Sequence, residues 1–318
     1  MESLDGIVGT APALLEALAL ARTFAASGLH ILLVGETGTG KEVFAQAIHR
    51  WSGRPGRMVD VNCGALPRDL VEGELFGHTR GAFTGAVADR AGLLRAAAGG
   101  TLFLDEVTSL PFEAQVKLLR VLETGEVRRL GETTARSVSI QTVAAAQPDI
   151  RKRLEEGSLR RDLYQRLAGV VIHLPRLDDR REDILPLARS FAEGRGRIVG
   201  REAEEILLSQ PWPGNVRELK LAIERASLLS SGVVLGREVI ASAIALGSSP
   251  LFHPETRNPA GPVPEDSLRR LCRASGWRAE RIASTLGVSR ATLFRLLRAS
   301  GVSLRRGRRS DALEGVDG

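Results

Sequence analysis

The stretch GETGTGKE, residues 35–42, decides the fold. It follows the apolar run 31–34 and opens a segment with helical periodicity at 41–50, the strand, loop and helix setting that a phosphate-binding loop requires. Gly35, Gly38 and Gly40 let the backbone amides converge on phosphate oxygens, the following helix directs its positive end at them, and Lys41 supplies a point charge. Glu36, Thr37 and Thr39 complete the loop, which is expected to hold ATP or GTP. Glu42 stands where the general loop has Ser or Thr as a magnesium ligand, so Mg2+ must lean on other groups as well.

Outward from the loop, short apolar runs recur at 58–61, 101–104, 139–145 and 170–174, separated by longer helix-like segments such as 112–123. That alternation predicts an α/β fold with a parallel sheet covered by helices. After Pro175 the strand signals stop, and the segments 183–193, 201–209 and 216–230 read as a helical lid. Residues 247–264 are rich in Pro, Gly and Ser without a periodic apolar face, which reads as a linker.

The partner expected for the loop is Asp105, which closes the buried run 101–104 and so lies at the carboxyl end of a strand, where α/β sheets bind ligands. Glu106 follows it. Two adjacent acids permit a division of labour, Asp105 holding the metal's shell with Glu42 while Glu106 orients or deprotonates an attacking water. Adjacent acids at a strand end also occur as helix starts and solvated turns, and it is the phosphate loop that gives these a chemical reading.

At 318 residues with 43% hydrophobic side chains, the chain has enough for one large core and a second small domain. Cys63 and Cys272 lack metal-ligand spacing and suggest no disulfide framework, which fits a reducing cytoplasm. The Ala/Leu stretch 11–26 is interrupted by Glu16 and Arg22 and reads as an amphipathic helix rather than a leader. No apolar run approaches the roughly 20 residues needed to span a bilayer, so no membrane partner is expected. The formal charge of +6 is unevenly placed: residues 265–309 carry 12 arginines against Glu265, Asp266 and Glu280, the last nine residues are acidic, and the rest of the chain is neutral. Such asymmetry points to a polyanion-binding module on a neutral body.

Residues 74–86 contain Gly81, Ala82, Phe83, Thr84, Gly85 and Ala86, the hexapeptide GAFTGA. From composition alone this is a flexible loop tip exposing Phe83 and Thr84, and an exposed loop aromatic implies a protein contact. Over nearly its whole length the sequence resembles the AAA+ activators of sigma-54 RNA polymerase, the bacterial enhancer-binding proteins, of which this hexapeptide looks like the signature. The resemblance implies ATP as nucleotide, a homo-oligomeric ring of hexamer type, and contact of this loop with the sigma factor of the sigma-54 RNA polymerase holoenzyme. It further implies that Asn62 is a switch residue engaging Glu106, and that Arg160 and Arg166 are arginine fingers reaching a neighbouring subunit. Arg161 competes with them, the other two ranking above it. Arg217, in residues 211–219 (PWPGNVREL), is similar to the lid arginine that reaches the γ-phosphate, and Ile7 and Val8 match a segment packing on adenine. One stretch departs from the pattern: a Thr-Asn sensor is replaced by Ala146 and Gln147, although the Gln147 amide can still donate and accept.

Residues 265–309 read as three helices with a tight helix-turn-helix over 278–300, similar to a Fis-like DNA-binding domain. Ser289 can cap the last helix, and Arg290, Thr292, Arg295 and Arg298 offer donors to phosphates and base edges of double-stranded DNA. At 4%, aromatics are too scarce for a single-strand stacking platform. The expected division is therefore 1–175 α/β subdomain, 176–246 lid, 247–264 linker, 265–309 DNA-binding domain and 310–318 tail. The few residues before Gly6 cannot form a sensory fold, so a separate regulatory protein is expected to carry the signal. Two rival readings stay open: a DNA-binding regulator without productive turnover, motivated by Ala146 and Gln147, and an AAA+ DNA-remodelling factor, which would have no use for GAFTGA.

Overall fold

The computed structural model describes residues 5–247 together with Ala279 and Leu297, both helical. Residues Met1–Ser248 form one compact unit. Its elements are α1 (Pro12–Ala25), β1 (Ile31–Val34), α2 (Lys41–Ser52), β2 (Met58–Asn62), α3 (Val71–Phe76), α4 (Leu93–Ala96), β3 (Thr101–Asp105) and α5 (Phe112–Thr124). They continue with β4 (Glu126–Val127), β5 (Arg136–Ser137), β6 (Gln141–Ala146), α6 (Ile150–Glu155), α7 (Arg161–Leu167) and β7 (Val170–His173). The lid holds α8 (Ile184–Glu193), β8 (Ile198–Val199), α9 (Arg201–Ser209), α10 (Asn215–Leu229), β9 (Val234–Leu235) and α11 (Arg237–Gly247).

Five strands make one parallel sheet in the order β2, β3, β6, β1, β7. Every residue of β1 and β6 is buried, as strands covered on both faces must be; β1 reads as an unbroken apolar run for that reason, whereas β6 opens on the buried polar pair Gln141 and Thr142. One face packs Leu32, Leu102, Leu104 and Ala144 against α3, α5 and α7, and the other packs Ile31, Leu33, Phe103 and Val143 against α1 and α2. The sheet reverses its order between β1 and β6, the crevice where open α/β sheets bind ligands at the carboxyl ends of their strands.

A 3₁₀ segment, Leu177–Asp183, leads into the lid. The lid has its own core around Leu187, Leu207, Trp212, Leu219, Ile223 and Ile240, with the Trp212 indole N–H satisfied by the Leu207 carbonyl at 3.1 Å. The expectation of no strand after Pro175 is corrected here: β8 and β9 pair in parallel, Ile198 with Val234 and Val199 with Leu235. Two residues are too few to show the alternation that announces a strand. Among the described residues no helix is long and apolar enough to cross a membrane.

Candidate nucleotide site and surface loop

Residues 35–42 wrap the carboxyl end of β1 and pass into α2, with Gly38 at φ +81° and Gly40 at φ +105°, conformations that side chains with a Cβ rarely adopt. Lys41 folds back over the loop and donates to the carbonyls of Gly35 at 2.7 Å and Glu36 at 2.9 Å. The Thr39 hydroxyl donates to Glu36 O at 2.9 Å. Burial lowers the Lys41 pKa; the carboxylates of Asp105, Glu106 and Glu36 pull it back up while Arg217 adds to the lowering. A lysine in this setting is set among the acids of the site and beside the lid arginine at once.

A cavity of about 360 Å³ opens above the loop, lined by Thr37, Gly38, Gly40, Lys41 and Glu42 from the loop and α2, Asn62 closing β2, Asp105 closing β3 with Glu106 next to it, Gln147 after β6, and Arg217 from the lid. Ten of the residues expected from sequence thus meet at one place, because each closes or follows a strand of one parallel sheet or lies in the first turn of the lid helix above it. Thr108, Ser109, Asp149, Arg153 and Lys220 also line it and were not foreseen; only Lys220, one helical turn from Arg217, carried a readable spacing.

The parallel register sets Asn62 beside Asp105. Asp105 Oδ1 accepts the Glu106 amide at 3.0 Å, and Glu106 sits at φ +52°, a strained position for a residue with a side chain. The expected engagement of Asn62 with Glu106 takes another form here. The Asn62 oxygen accepts the amides of Gly64 at 2.9 Å and Ala65 at 3.0 Å, closing its own turn, and the Glu106 carboxylate lies against Gly64. The short carboxamide reaches the amides two and three residues ahead, so local geometry claims it first.

Negative charge gathers on this side of the cavity. The Asp60 pKa is raised by burial and then by Glu42 and Asp105, and the buried Cys63 thiol is pushed up to about 12 by burial and by Asp105 and Glu106. Among the described residues no group of three His, Cys, Asp or Glu side chains is arranged to cage a metal. Mg2+ asks for less: one or two carboxylates, with phosphate and water oxygens completing its shell. Asp105 and Glu42 fit that demand.

The lid residue Arg217 reaches the loop through its main chain, its amide donating to Gly38 O at 3.3 Å. Asn215, read from the sequence only as part of a helix start, is buried at φ +53° and binds both sides: its oxygen accepts the Leu177 amide at 2.8 Å, and its Nδ2 donates to Glu36 Oε2 at 3.2 Å and Thr37 O at 3.1 Å. Ile7 is part of the core with α1 and β1, whereas Val8 packs against the lid core, so the expected adenine segment runs along the seam between the two and does not line the cavity.

Arg160, Arg161 and Arg166 lie away from this cavity. Arg160 forks onto Asp162 at 2.7 and 3.0 Å and stands over the Phe112 ring at 5.0 Å. Arg166 spends its Nε and Nη2 on the Leu122 carbonyl, at 3.0 and 2.8 Å. Arg161 is exposed and makes no side-chain hydrogen bond or ion pair among the described residues.

The GAFTGA loop rises from a base pinned by a backbone bridge between His78 and Arg90 and by the Thr79 amide on Leu130 O at 3.0 Å. Asp89 takes the Arg80 amide at 2.8 Å and an Arg129 guanidinium N–H at 3.2 Å. The Gly81 amide closes the tip on Ala86 O at 2.8 Å. Thr84, Gly81 and Gly85 are exposed as expected, but Phe83 is not: it is half-buried, its ring edge-on to His78 and over Gly73, and Ala86 is buried. A glycine facing the ring leaves a seat that the free chain has every reason to fill with an aromatic. Val87, missed in the sequence, is the exposed apolar residue at the loop's far side, at 83% exposure.

Gly247, the first residue of the expected linker, ends α11; the rest of the linker, the tail and the DNA-facing expectations Ser289, Arg290, Thr292, Arg295 and Arg298 lie outside the described residues.

The chain matches the family model for the sigma-54 interaction domain over residues 7–173 and that for an AAA+ ATPase lid domain over 178–251. It is 40% identical over 302 residues to the transcriptional regulatory protein GlrR of Escherichia coli, covering 92% of this chain and 67% of the relative. It is 47% identical over 233 residues to the nitric oxide reductase transcription regulator NorR1 of Cupriavidus necator, covering 70% of this chain and 45% of the relative. Among solved structures, NtrX from Brucella abortus in complex with ADP superposes with a TM-score of 0.69 at 29% identity, over 93% of this chain and 70% of that one. The chain therefore spans about two thirds of GlrR and less than half of NorR1.

Proposed function

The chain belongs to the sigma-54 interaction family of AAA+ ATPases, and from that premise we propose that it hydrolyses ATP in a homo-oligomeric ring to remodel sigma-54 RNA polymerase for open-complex formation. The observation that carries this reading is the meeting of Lys41, Asp105, Glu106, Gln147 and Arg217 in one cavity while GAFTGA stands on a separate loop with Thr84 exposed.

In this reading Lys41 leaves the Gly35 and Glu36 carbonyls for the β- and γ-phosphates, and Arg217 meets the γ-phosphate from the lid. Glu106 orients a water and takes its proton as the water oxygen bonds to the γ-phosphorus; the bond to the β,γ-bridging oxygen breaks and ADP leaves with that oxygen. Bound Mg2+ supplies neutralisation of phosphate charge, and Asp105 with Glu42 would hold it. Arg160 or Arg166, donated by the neighbouring subunit of a hexamer, adds roughly 10³-fold or more in rate. Each must first leave its own-chain partner, Asp162 or Leu122 O, and Arg161 is the arginine free to act without doing so.

Phe83 and Thr84 contact the sigma factor when the loop leaves its seat, and residues 265–309, through Arg290, Thr292, Arg295 and Arg298 with Ser289 as cap, hold double-stranded DNA upstream of the promoter. A cytoplasmic location follows from both partners. The presence of Gln147 at the cavity favours turnover over a regulator that has lost it, because an amide there can still meet a phosphate oxygen. The test is ATP turnover by the purified chain beside Glu106→Gln: turnover that depends on Glu106 supports the reading, and equal background in both rejects it.

A further inference from the structure

The phosphate loop is held from behind by the lid at three consecutive carbonyls. Asn215 Nδ2 donates to Thr37 O at 3.1 Å, the Arg217 amide to Gly38 O at 3.3 Å, and Arg180 Nη2 to Thr39 O at 3.0 Å. A trans peptide points its carbonyl and the following N–H in opposite directions, so fixing the carbonyls of residues 37 and 39 turns the amides of Gly38 and Gly40 away from the lid donors. Those two amides make no hydrogen bond among the described residues, and both glycines line the cavity.

Arg180 is the unexpected member. It lies in the 3₁₀ segment that joins sheet to lid, at a non-helical φ of −137°, and only 3% of it is exposed. Its Nε has no partner, and its charge is disfavoured by burial with only partial relief from Asp183. Asp183, fully buried, grips the other side of the seam, its Oδ1 accepting the amides of Thr10 at 2.6 Å and Ala11 at 3.1 Å. A neutral donor would satisfy Thr39 O at lower desolvation cost, whereas a guanidinium adds positive charge behind a loop whose open face must take anions.

We propose that Arg180 is a positioning residue for nucleotide binding. By holding Thr39 O it fixes the direction of the Gly40 amide, so that lid closure and assembly of the phosphate cradle are one equilibrium. This rests on the ATP reading above and adds to it a residue that touches the loop and not the reacting phosphate. Its loss therefore weakens nucleotide binding more than it slows chemistry.

The experiment compares the full chain with Arg180→Lys and Arg180→Met for binding of a fluorescent ADP analogue, for kcat and KM of ATP turnover, and for thermal unfolding without nucleotide. The expected result is a rise of ten-fold or more in both the dissociation constant and KM for Arg180→Met, a smaller rise for Arg180→Lys, and kcat within about three-fold of the parent. Parent-like affinity in both variants overturns the proposal, as does a fall in kcat at constant KM, the mark of a smaller folded fraction. Should Arg180→Met fail to fold, Arg180→Lys decides alone: weakening of three-fold or more supports the clamp and unchanged affinity overturns it. A parent chain that binds no nucleotide rejects the ATP reading before any variant is made, and this proposal falls with it.

Discussion

The ring of Phe83 stands edge-on to the imidazole of His78, centroids 4.9 Å apart and planes inclined at 70°, with Gly73 of α3 beneath it. A Cβ at Gly73 would meet the Phe83 ring at 3.6 Å and His78 Nδ1 at 3.4 Å, so alanine fits and a longer side chain does not. Gly73→Leu is expected to unseat the loop without harming α3, since leucine favours helix over glycine by roughly 1 kcal/mol. Tryptic cleavage after Arg80 in the native chain should then quicken several-fold relative to Gly73→Ala; equal rates would mean that the seat does not hold the loop.

Among the described residues Glu106 is the only carboxylate of the cavity placed at positive φ, and its assigned work is on the water. Glu106→Gln should lower kcat for ATP by about 10² to 10⁴-fold while leaving nucleotide affinity within a few-fold. Lys41→Ala should instead lose affinity. Steady-state kinetics with a direct binding titration separates the two.

Asn215 joins lid to loop from a left-handed backbone position. Asn215→Ala leaves the Leu177 amide buried without its acceptor and keeps the strain, a loss of about 2 to 4 kcal/mol. Asn215→Gly loses the same bonds without the strain and should be less destabilised by about 1 kcal/mol. Denaturant unfolding of both gives the difference, and an alanine variant as stable as the glycine variant would contradict it.

Burial, then Arg166 and then Arg54, lowers the His30 pKa from 6.5 to about 4, and its Nδ1 accepts the Thr142 amide at 3.2 Å. The folded chain thus holds this imidazole neutral, while the unfolded chain protonates it near pH 6.5. Its contribution to stability is fully present above that pH and is lost as pH falls toward 4, by roughly 3 kcal/mol in all. His30→Gln keeps an acceptor and removes the titration, so its melting temperature should fall less than the parent's between pH 7 and 4.5. Parallel curves would place the acid sensitivity elsewhere.

Much of this architecture is legible in the sequence where one physical constraint dominates. The runs at 31–34 and 101–104 are unbroken because both faces of their strands are covered, and GETGTGKE admits few other structures. What stayed hidden depends on distant partners. Nothing in the charged stretch 177–183, LDDRRED, marks Arg180 and Asp183 as buried, yet the Thr39 carbonyl and the Thr10 and Ala11 amides hold them inside. Phe83 reads as exposed because nothing in its own loop reveals the glycine on α3. The left-handed Asn215 and the two-residue strands β8 and β9 carry no periodic signal at all.

The most direct measurement is open-complex formation by sigma-54 RNA polymerase on a cognate promoter, scored per ATP hydrolysed. The parent chain should open the promoter in an ATP-dependent manner, Lys41→Ala should not open it, and Thr84→Ala should yield at least ten-fold fewer open complexes for each ATP consumed. Promoter opening by Lys41→Ala, or a parental yield per ATP from Thr84→Ala, would contradict the transfer of nucleotide energy through this loop.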